Sequence, residues 1–313
     1  MILITGANGY VASYVLKQLT TVIATGQVRA LVRDPKRATH LKATGITLVT
    51  GDVTDPSSLA SAMKGVDTVI HLAAVNRDKG AVTMERVNQL GTINVVDAAK
   101  AAGVKHIVTV VGLGADSARP YPLAKTQGIG IEYLIASGVP YTVLESSVIF
   151  GAGDEFLNVL AGLARIPPIM VVPGDGRSKF QPIAAQDVAT CVVKSVNMPQ
   201  VVNKRLQICG SEVLTLEQII DAILAAMNLN RAKIHMPVPI LKIAVGLMDA
   251  LLPKPPVTPS LLAQLGVDNV ATDNATEKVF GVKPLKLREN IGFVNEMTLG
   301  KLISRTLGKA DFR

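Results

Sequence analysis

Residues 2–12 read ILITGANGYVA, an apolar run that ends in the pattern Gly-x-x-Gly-x-x-Ala. Apolar residues then recur four apart, at Val11, Val15 and Leu19. This change from a continuous apolar run to helical spacing predicts a strand, a tight turn and a helix.

The glycine turn predicts an anion site at the start of that helix. Backbone N–H groups at a helix N-terminus have no partner within the helix, and the helix dipole favours negative charge there. Gly6 would permit the turn, Gly9 would let a pyrophosphate approach the backbone, and Ala12 would let the helix pack closely on the strand. An ordinary strand–helix turn can have the same pattern, so the rest of the chain has to decide between the two.

The end of the second predicted strand, residues 28–33, indicates which nucleotide such a site prefers. In dinucleotide-binding folds the residue that closes this strand, about 20 positions beyond the glycine turn, contacts the adenosine ribose. An acidic residue there selects NAD, whereas a cation suits the 2′-phosphate of NADP. Arg33 occupies this point, with Lys36 and Arg37 close behind. NADP(H) is therefore predicted in preference to NAD(H), and the adjacent Asp34 keeps NAD(H) open.

Strands and helices alternate along the first half of the chain. Further strands are predicted at residues 46–52, 67–74, 106–111 and 141–146, and helices at residues 59–63, 81–102 and 122–137. Residues 205–209 predict a last strand that returns to the same sheet. This succession predicts an α/β fold of the Rossmann type, a doubly wound parallel sheet with helices on both faces.

Composition excludes several classes of protein. A hydrophobic share of 49% and a mean hydropathy of +0.37 exclude a disordered chain. The net charge of +8 comes from dispersed residues in a chain without Trp, so nucleic acid is not an expected partner. With a strand at Ile2 and no apolar run of about 18 residues, we expect no signal peptide and no spanning helix, hence a cytoplasmic location.

The cysteines and histidines do not suggest a metal site, because their spacing matches no metal motif. Cys191 and Cys209 lie in helix and strand patterns and are predicted to be buried thiols. His71 lies inside an apolar run and is predicted to be a buried histidine with its hydrogen bonds satisfied rather than a catalytic one.

Five motifs in order resemble the short-chain dehydrogenase/reductase superfamily. They are TGANGYVA at 5–12, GDVTD at 51–55, HLAA at 71–74, VNQLGTINV at 87–95 and YPLAK at 121–125. Within it, the chain is similar to the extended and atypical epimerase-like branches. Residues 28–33, 180–189 and 280–282 add a similarity to the group related to the NADPH-binding accessory subunit of respiratory complex I.

The resemblance implies the cofactor site and the domain organisation. It implies an NAD(P)-binding domain over residues 1–150, to which 184–210 return, and a smaller C-terminal substrate lobe and tail from 151–183 and 211–313. The implied cofactor-binding residues are Gly6, Ala7, Asn8, Gly9, Tyr10, Val11, Arg33, Asp52, Val53, Leu72, Ala73, Ala74, Asn88 and Lys125.

The resemblance also implies a catalytic pair, because the superfamily uses a Tyr-x-x-x-Lys motif and Tyr121 and Lys125 have its spacing. One helical turn would place the two side chains on one face. The lysine ammonium would favour the phenolate and lower a tyrosine pKa that is ordinarily about 10. Tyr121 could then exchange a proton with a substrate oxygen while hydride moves to or from a nicotinamide.

Two departures from the family pattern bear on turnover. The family places a Ser or Thr at the end of the fifth strand, where this chain has Val111 and Gly112, and it usually has Arg-Pro where this chain has Glu145-Ser146. Losing one donor to a developing oxyanion can cost about 10²- to 10³-fold in rate.

The leading hypothesis is an NADP(H)-dependent oxidoreductase that acts on a small carbonyl or hydroxyl substrate. The alternative is a non-catalytic NADP(H)-binding structural or redox-sensing protein, and a sugar-nucleotide epimerase or dehydratase is disfavoured.

Two late segments are candidates for contacts with partners. Residues 240–252 form an unusually apolar helix pattern, which predicts a core helix of the smaller lobe; a homodimer face or a membrane-surface contact is the alternative. The basic tail, residues 301–309, predicts a solvated terminal helix, with contact to a membrane or a protein complex as the alternative.

Overall fold

A computed structural model describes residues 1–309 of the chain. These residues form two units. Unit 1 contains Met1–Ser146, Gln186–Ile208 and Glu277–Val282, and unit 2 contains Ser147–Ala185, Cys209–Thr276 and residues 283–309.

The strands, in chain order, are β1 (Ile2–Thr5), β2 (Val28–Val32), β3 (Thr47–Thr50), β4 (Thr68–His71), β5 (His106–Gly112), β6 (Tyr141–Ser146), β7 (Ile149–Phe150), β8 (Ile169–Pro173), β9 (Lys179–Phe180), β10 (Ile183–Ala184), β11 (Lys204–Ile208), β12 (Leu214–Thr215) and β13 (Ala232–Met236). The α-helices are α1 (Tyr10–Val22), α2 (Thr39–Lys42), α3 (Pro56–Met63), α4 (Gly91–Ala101), α5 (Pro122–Ala136), α6 (Leu157–Ala164), α7 (Ala185–Ser195), α8 (Leu216–Ala226), α9 (Val238–Leu251), α10 (Pro259–Gln264), α11 (Ala275–Lys278), α12 (Leu287–Asn290) and α13 (Leu299–Thr306).

Unit 1 is built on one parallel sheet with the strand order β11-β6-β5-β4-β1-β2-β3. All four residues of β1 are buried, as expected for a central strand of a sheet covered on both faces. The strand order reverses between β1 and β4, and ligands of such folds bind outside the carboxyl ends of the strands at that point. The predicted Rossmann-type fold class is confirmed.

The core of unit 1 joins this sheet to α3, α4 and α5. It contains Leu3 of β1, Val69 of β4, Ile107 of β5 and Leu134 of α5, all at most 1% exposed. The carboxyl ends of β1, β4 and β5 are therefore held in a fixed arrangement, and the residues that follow these strands line the candidate site.

The helix predicted over residues 81–102 is wrong at its start. Lys79 and Val82 form an isolated bridge around a turn, and residues 85–90 then wind as a π-helix before α4 begins at Gly91. Val82 therefore belongs to a turn rather than to the apolar stripe of a helix. Single π-helical turns within a helix are frequent at functional sites.

Some residues fall in a different unit from the one implied by the resemblance. Residues 147–150, which were assigned to the NAD(P)-binding domain, belong to unit 2. Residues 277–282, which were assigned to the smaller lobe, belong to unit 1. Phe280 and Val282 are buried, and the Lys194 ammonium of α7 donates to the Phe280 carbonyl over 2.6 Å. This contact and the buried side chains hold the segment against unit 1.

Unit 2 has its own apolar core, formed largely by α6 and α8 with residues from the short strands. Phe150, Leu157, Ile220 and Ile223 are at most 1% exposed. The strands of this unit pair two by two, as β10 with β7, β12 with β9 and β13 with β8. In α13 the buried Arg305 forms an ion pair with Glu155 over 3.2 Å, so this helix is fastened to the core of the unit.

The prediction that residues 240–252 form a core helix is wrong. Only Val245 of α9 is buried, whereas Ile243 is 69% and Leu251 is 78% exposed. Ile240 and Leu247 are also exposed, and their spacing places all four exposed residues on one side of the helix. Among residues 1–309, no helix combines the length and the apolar character needed to cross a bilayer.

Because Leu247 is exposed and Val245 is buried, truncating the larger leucine should destabilise the protein less than truncating the smaller valine. Leu247→Ala should change the free energy of unfolding by no more than about 0.5 kcal/mol, as surface substitutions usually do. Val245→Ala should cost about 1–2 kcal/mol, because it removes buried methyl groups. Urea titrations of the two variants measure both effects. A cost above about 2 kcal/mol for Leu247→Ala would mean that another surface covers this residue.

Candidate functional site

The turn after β1 requires glycine at two positions. Gly6 has a φ of +68°, and a Cβ there would lie 2.6 Å from the backbone of Leu72 and Ala73, directly after β4. The Gly9 N–H donates to the Gly6 carbonyl over 2.7 Å, and a Cβ on Gly9 would lie 2.8 Å from the same oxygen. The backbone thus bends sharply and passes close to β4 before α1 begins.

The N-terminus of α1 suits an anion. Its N-cap, Gly9, supplies no side-chain cap, and its first turn contains no acidic residue. The unpaired N–H groups and the positive end of the helix dipole are therefore available to negative charge. The Asn8 Oδ1 atom is buried and has no hydrogen-bond partner among residues 1–309; because it only accepts, it would bond a hydroxyl or N–H of a ligand rather than a phosphate oxygen. Ala12 is fully buried, so the helix packs closely on the sheet. The residues present fit a bound pyrophosphate.

The end of β2 carries a cluster of cations. Arg33, Lys36 and Arg37 are all exposed. The Asp34 carboxylate accepts from the Lys36 backbone N–H over 2.9 Å and caps the short 3₁₀ turn that follows. Asp34 is itself exposed, so this part of the surface has three cations and one carboxylate.

The turn after β3 contains the predicted pair Asp52 and Val53. The Asp52 carboxylate accepts from the backbone N–H and the hydroxyl of Thr54, at 2.9 and 3.0 Å. The Asn94 side chain donates to the Val53 carbonyl over 2.9 Å. These bonds fix the shape of the turn beside the ends of β1 and β2.

Asn88 fixes the loop after β4. Its Oδ1 accepts from the Val75 N–H and its Nδ2 donates to the Val75 carbonyl, each over 2.8 Å, and only 2% of the residue is exposed. Asn88 lies in the π-helical turn. The structure therefore places it under the loop that contains Leu72, Ala73 and Ala74, where its side chain positions these residues.

His71 is a buried, hydrogen-bonded histidine, so this prediction is confirmed. The Thr92 hydroxyl donates to the Asn88 carbonyl over 2.6 Å and accepts from His71 Nε2, while the Thr5 hydroxyl donates to Nδ1 over 2.7 Å. This chain of bonds places the ring proton on Nε2. Burial lowers the pKa of His71 to about 4, so the ring is neutral at neutral pH.

Tyr121 and Lys125 lie at the start of α5, and only Lys125 is within the helix. Tyr121 is the N-cap residue, with extended backbone, and Pro122 is the first helical residue. The Lys125 N–H donates to the Tyr121 carbonyl over 2.9 Å. Within the described part of the chain, no hydrogen bond joins the Tyr121 hydroxyl to the Lys125 ammonium. Their roles stay predictions.

The end of β5 has a polar partner that the sequence analysis missed. The Gly112 N–H donates to Gln127 Oε1 of α5 over 3.0 Å. Thr109 cannot replace the absent hydroxyl, because it is buried and donates to the His71 carbonyl over 2.9 Å. The only sequence signal for Gln127 was its place on the helix that begins at the Tyr-x-x-x-Lys motif.

Glu145, one of the departures from the family pattern, has a structural role. Arg205 of β11 donates from Nε to its carboxylate over 2.6 Å and from Nη2 to the Ala115 carbonyl over 3.0 Å. Arg205 therefore ties β6 to the loop that follows β5. Sequence analysis did not identify this arginine, since the two partners are 60 positions apart.

A small pocket lies within unit 1 at the carboxyl ends of β4 and β5, and we call it the β4–β5 pocket. Ala73, Ala74 and Val111 are among its apolar lining residues. Its polar lining residues are His71, Asn88, Thr92, Thr109 and Gln127. The pocket lies where the loop of residues 72–74, which is predicted to contact the cofactor, meets the end of β5, where the family hydroxyl is missing.

Metal and thiol chemistry receive no support from the described residues. Residues 1–309 contain no group of three or more His, Cys, Asp or Glu residues that could hold a metal ion. Cys191 and Cys209 are fully buried, as predicted, and burial raises their thiol pKa values to about 12 and about 11.

The chain is similar to an NAD(P)H-binding family, to individual proteins and to a solved structure. A family described as NAD(P)H-binding matches residues 6–199. Quinone oxidoreductase 2 of Escherichia coli (strain K12) is 31% identical over 221 residues, which are 70% of this chain and 72% of that protein. The crystal structure of the NADPH-dependent quinone oxidoreductase from Escherichia coli, complexed with NADPH, has a TM-score of 0.74 and 26% identity, covering 93% of this chain and 98% of that one. Photosystem II assembly factor Ycf39 of Synechocystis sp. is 29% identical over 250 residues, 77% of this chain and 72% of that protein.

Burial of His71 predicts a specific pH dependence of stability. Between pH 6.5 and about 4 the unfolded chain binds a proton at this ring that the folded chain does not bind. The folded protein therefore loses about 3 kcal/mol as the pH falls through this window. Denaturant titrations at pH 7 and pH 4 should show this loss in the wild type relative to His71→Asn. His40→Asn, at an exposed position, is the control and should follow the wild type, whereas a His71→Asn profile parallel to the wild type would contradict the assignment.

Proposed function

Because the chain belongs to the NAD(P)H-binding family, we propose that it is an NADP(H)-dependent oxidoreductase that reduces a quinone or another small carbonyl acceptor. The observation that carries the proposal is the uncapped N-terminus of α1 behind Gly6 and Gly9. Gly6, Ala7, Asn8, Gly9, Tyr10 and Val11 would hold the pyrophosphate there.

The preference for NADP(H) rests on the end of β2. Arg33 would pair with the 2′-phosphate, assisted by the exposed Lys36 and Arg37. Asp34 is the residue that could select NAD(H), but its carboxylate already caps the turn through the Lys36 N–H. A free cation and an engaged carboxylate together favour the phosphorylated nucleotide.

The remaining predicted residues would hold the rest of the nucleotide. Asp52 and Val53 would contact the adenine end, and Leu72, Ala73 and Ala74 would line the path from β1 to β4. The hydrogen bonds of Asp52 to Thr54 and of Asn88 to Val75 keep both loops in a fixed conformation. Preorganised loops reduce the entropy cost of binding.

The chemistry of the reduction divides between the nucleotide and the chain. A bound nicotinamide supplies a hydride, that is, two electrons with one proton, and the acceptor takes a second proton to become the hydroquinone or alcohol. Tyr121 would provide that second proton from its hydroxyl. Lys125 would stabilise the phenolate that remains and hold the nicotinamide ribose.

The second candidate function is non-catalytic binding of NADP(H) within an assembly. The observation that favours it is the missing hydroxyl at Gly112, and a relative of similar coverage is named as an assembly factor. A protein in this role would need a contact surface, and residues 240–252 and 301–309 remain the predicted segments for contact with a membrane, a protein complex or a second copy. The exposed side of α9 supports the first of these segments.

Reversing the charge at Arg33 tests the cofactor assignment. Arg33→Asp should weaken NADPH binding about 10- to 100-fold, because a charge-assisted hydrogen bond to phosphate is replaced by repulsion. NADH affinity should change less than about threefold, since NADH has no 2′-phosphate. Nucleotide fluorescence titrations measure both constants. Lys100→Asp, with the same change of charge at the end of α4, should alter neither, and equal losses for the two nucleotides in Arg33→Asp would refute the assignment.

Removing one hydroxyl separates the two candidate functions. Tyr121→Phe should lower kcat for the reduction of 1,4-naphthoquinone by NADPH about 10²-fold or more and leave NADPH affinity unchanged. Tyr133→Phe is the matched control on the same helix, because the Tyr133 hydroxyl bonds to Asp97 instead. Turnover is followed by the loss of NADPH absorbance. Tight NADPH binding without turnover in a panel of quinones, aldehydes and ketones would favour the non-catalytic function.

A further inference from the structure

The amide of Gln127 lies where the family hydroxyl is missing. A Cβ built on Gly112 would lie 3.4 Å from Gln127 Oε1, at ordinary van der Waals distance. A serine side chain at this position would therefore leave the backbone toward the Gln127 amide. The Gly112 N–H already donates to the same oxygen over 3.0 Å. The end of β5 thus holds a polar group contributed by α5 in place of one of its own.

The bond from Gly112 fixes the orientation of the amide. A backbone N–H needs an acceptor, so the carbonyl oxygen of the Gln127 side chain faces Gly112 and the Nε2 group, which only donates, is directed elsewhere. Among residues 1–309, Nε2 has no acceptor. Gln127 lines the β4–β5 pocket together with Ala73 and Val111.

The other polar side chains of this pocket already have partners. Asn88 bonds to the Val75 main chain, and His71 bonds to Thr5 and Thr92. Thr92 donates to the Asn88 carbonyl, and Thr109 donates to the His71 carbonyl. Gln127 is only half-buried, so an incoming group can reach its side chain. Gln127 Nε2 is the polar side-chain group of the pocket that remains to bond a ligand.

We propose that Gln127 is a catalytic residue whose Nε2 donates a hydrogen bond to the carbonyl oxygen of the acceptor, in place of the hydroxyl absent at Gly112. The inference rests on the proposed function and specifies an acceptor with a carbonyl oxygen, such as a quinone. Negative charge grows on this oxygen as the hydride from NADPH arrives and before the Tyr121 proton is transferred. A donor already oriented by the Gly112 N–H stabilises this charge without reorganisation.

Gln127→Glu is the decisive variant, because it keeps an oxygen for the Gly112 N–H and replaces the amide donor with a carboxylate oxygen, which is charged and only accepts. Its kcat for 1,4-naphthoquinone reduction should fall about 10²-fold, within the range measured for single oxyanion donors. NADPH affinity, measured by fluorescence titration, should stay within about twofold of the wild type. A readout without turnover is the calorimetric affinity of 1,4-naphthoquinone for protein loaded with NADP⁺, which should weaken about tenfold.

A second substitution tests the replacement directly. Gly112 lacks a positive φ and has room for a Cβ, so Gly112→Ser can be accommodated. Added to Gln127→Glu, it should restore kcat and naphthoquinone affinity at least tenfold by returning the hydroxyl to the family position. Gln127→Leu, which also removes the bond to Gly112, should lose turnover too and serves to show whether the end of β5 tolerates the loss of its partner.

The outcomes distinguish a failure of the role of Gln127 from a failure of the proposed function. Wild-type turnover together with unchanged kcat and naphthoquinone affinity in Gln127→Glu overturns the role of Gln127 and leaves the proposed function intact. Loss in Gln127→Glu without rescue by Gly112→Ser also overturns it, since the hydroxyl and the amide would then not be equivalent. A wild-type protein that binds NADPH but neither reduces nor binds naphthoquinone overturns the proposed function and this inference together.

Discussion

The close approach of the first turn to the chain beyond β4 is the constraint on which the site depends. Gly6 has a backbone conformation that favours glycine, and no side-chain atom would fit between it and Leu72-Ala73. The same approach aims α1 across the ends of β1 and β4. The hydrogen bonds from Thr5 to His71 and from His71 to Thr92 tie β1, β4 and α4 together directly beneath that point. An uncharged network supports the turn from below, so the positive end of α1 is the main electrostatic feature above it.

The hydrogen bonds distinguish polar groups that support the fold from polar groups that are available to a ligand. Thr5, His71, Asn88 and Thr109 are buried and fully engaged with one another or with main-chain groups. Asn8 Oδ1 and Gln127 Nε2 have no partner in the described chain, and both border the carboxyl ends of the strands. Asn8 Oδ1 is buried, whereas Gln127 is half-buried. These two groups lie where the nucleotide and the acceptor are proposed to bind.

Sequence periodicity predicted the sheet well, because the central strands of unit 1, β1, β4 and β5, are mostly buried runs and helices alternate with them along the chain. The Rossmann-type class, the resemblance to the short-chain dehydrogenase/reductases and NAD(P)H binding are confirmed, whereas the similarity to the complex I subunit and the individual site residues stay predictions. Composition failed for α9, since an apolar sequence does not reveal which side finds a neighbour. Gln127 with Gly112, and Arg205 with Glu145, could not be predicted either. Each is a pair set by the packing of separate elements rather than by local spacing.

The path of the chain through the two units has a consequence for how the protein can be divided. Unit 1, the nucleotide-binding unit, includes residues 186–208 and the short segment 277–282. Along the chain, residues of unit 2 stand before and after each of these two segments. Neither unit is a continuous stretch of sequence, so neither can be excised as a single segment. A truncation that removes the chain from residue 209 onward therefore also removes residues 277–282 from the sheet-bearing unit. Expression of unit 1 by itself would require its three segments to be joined.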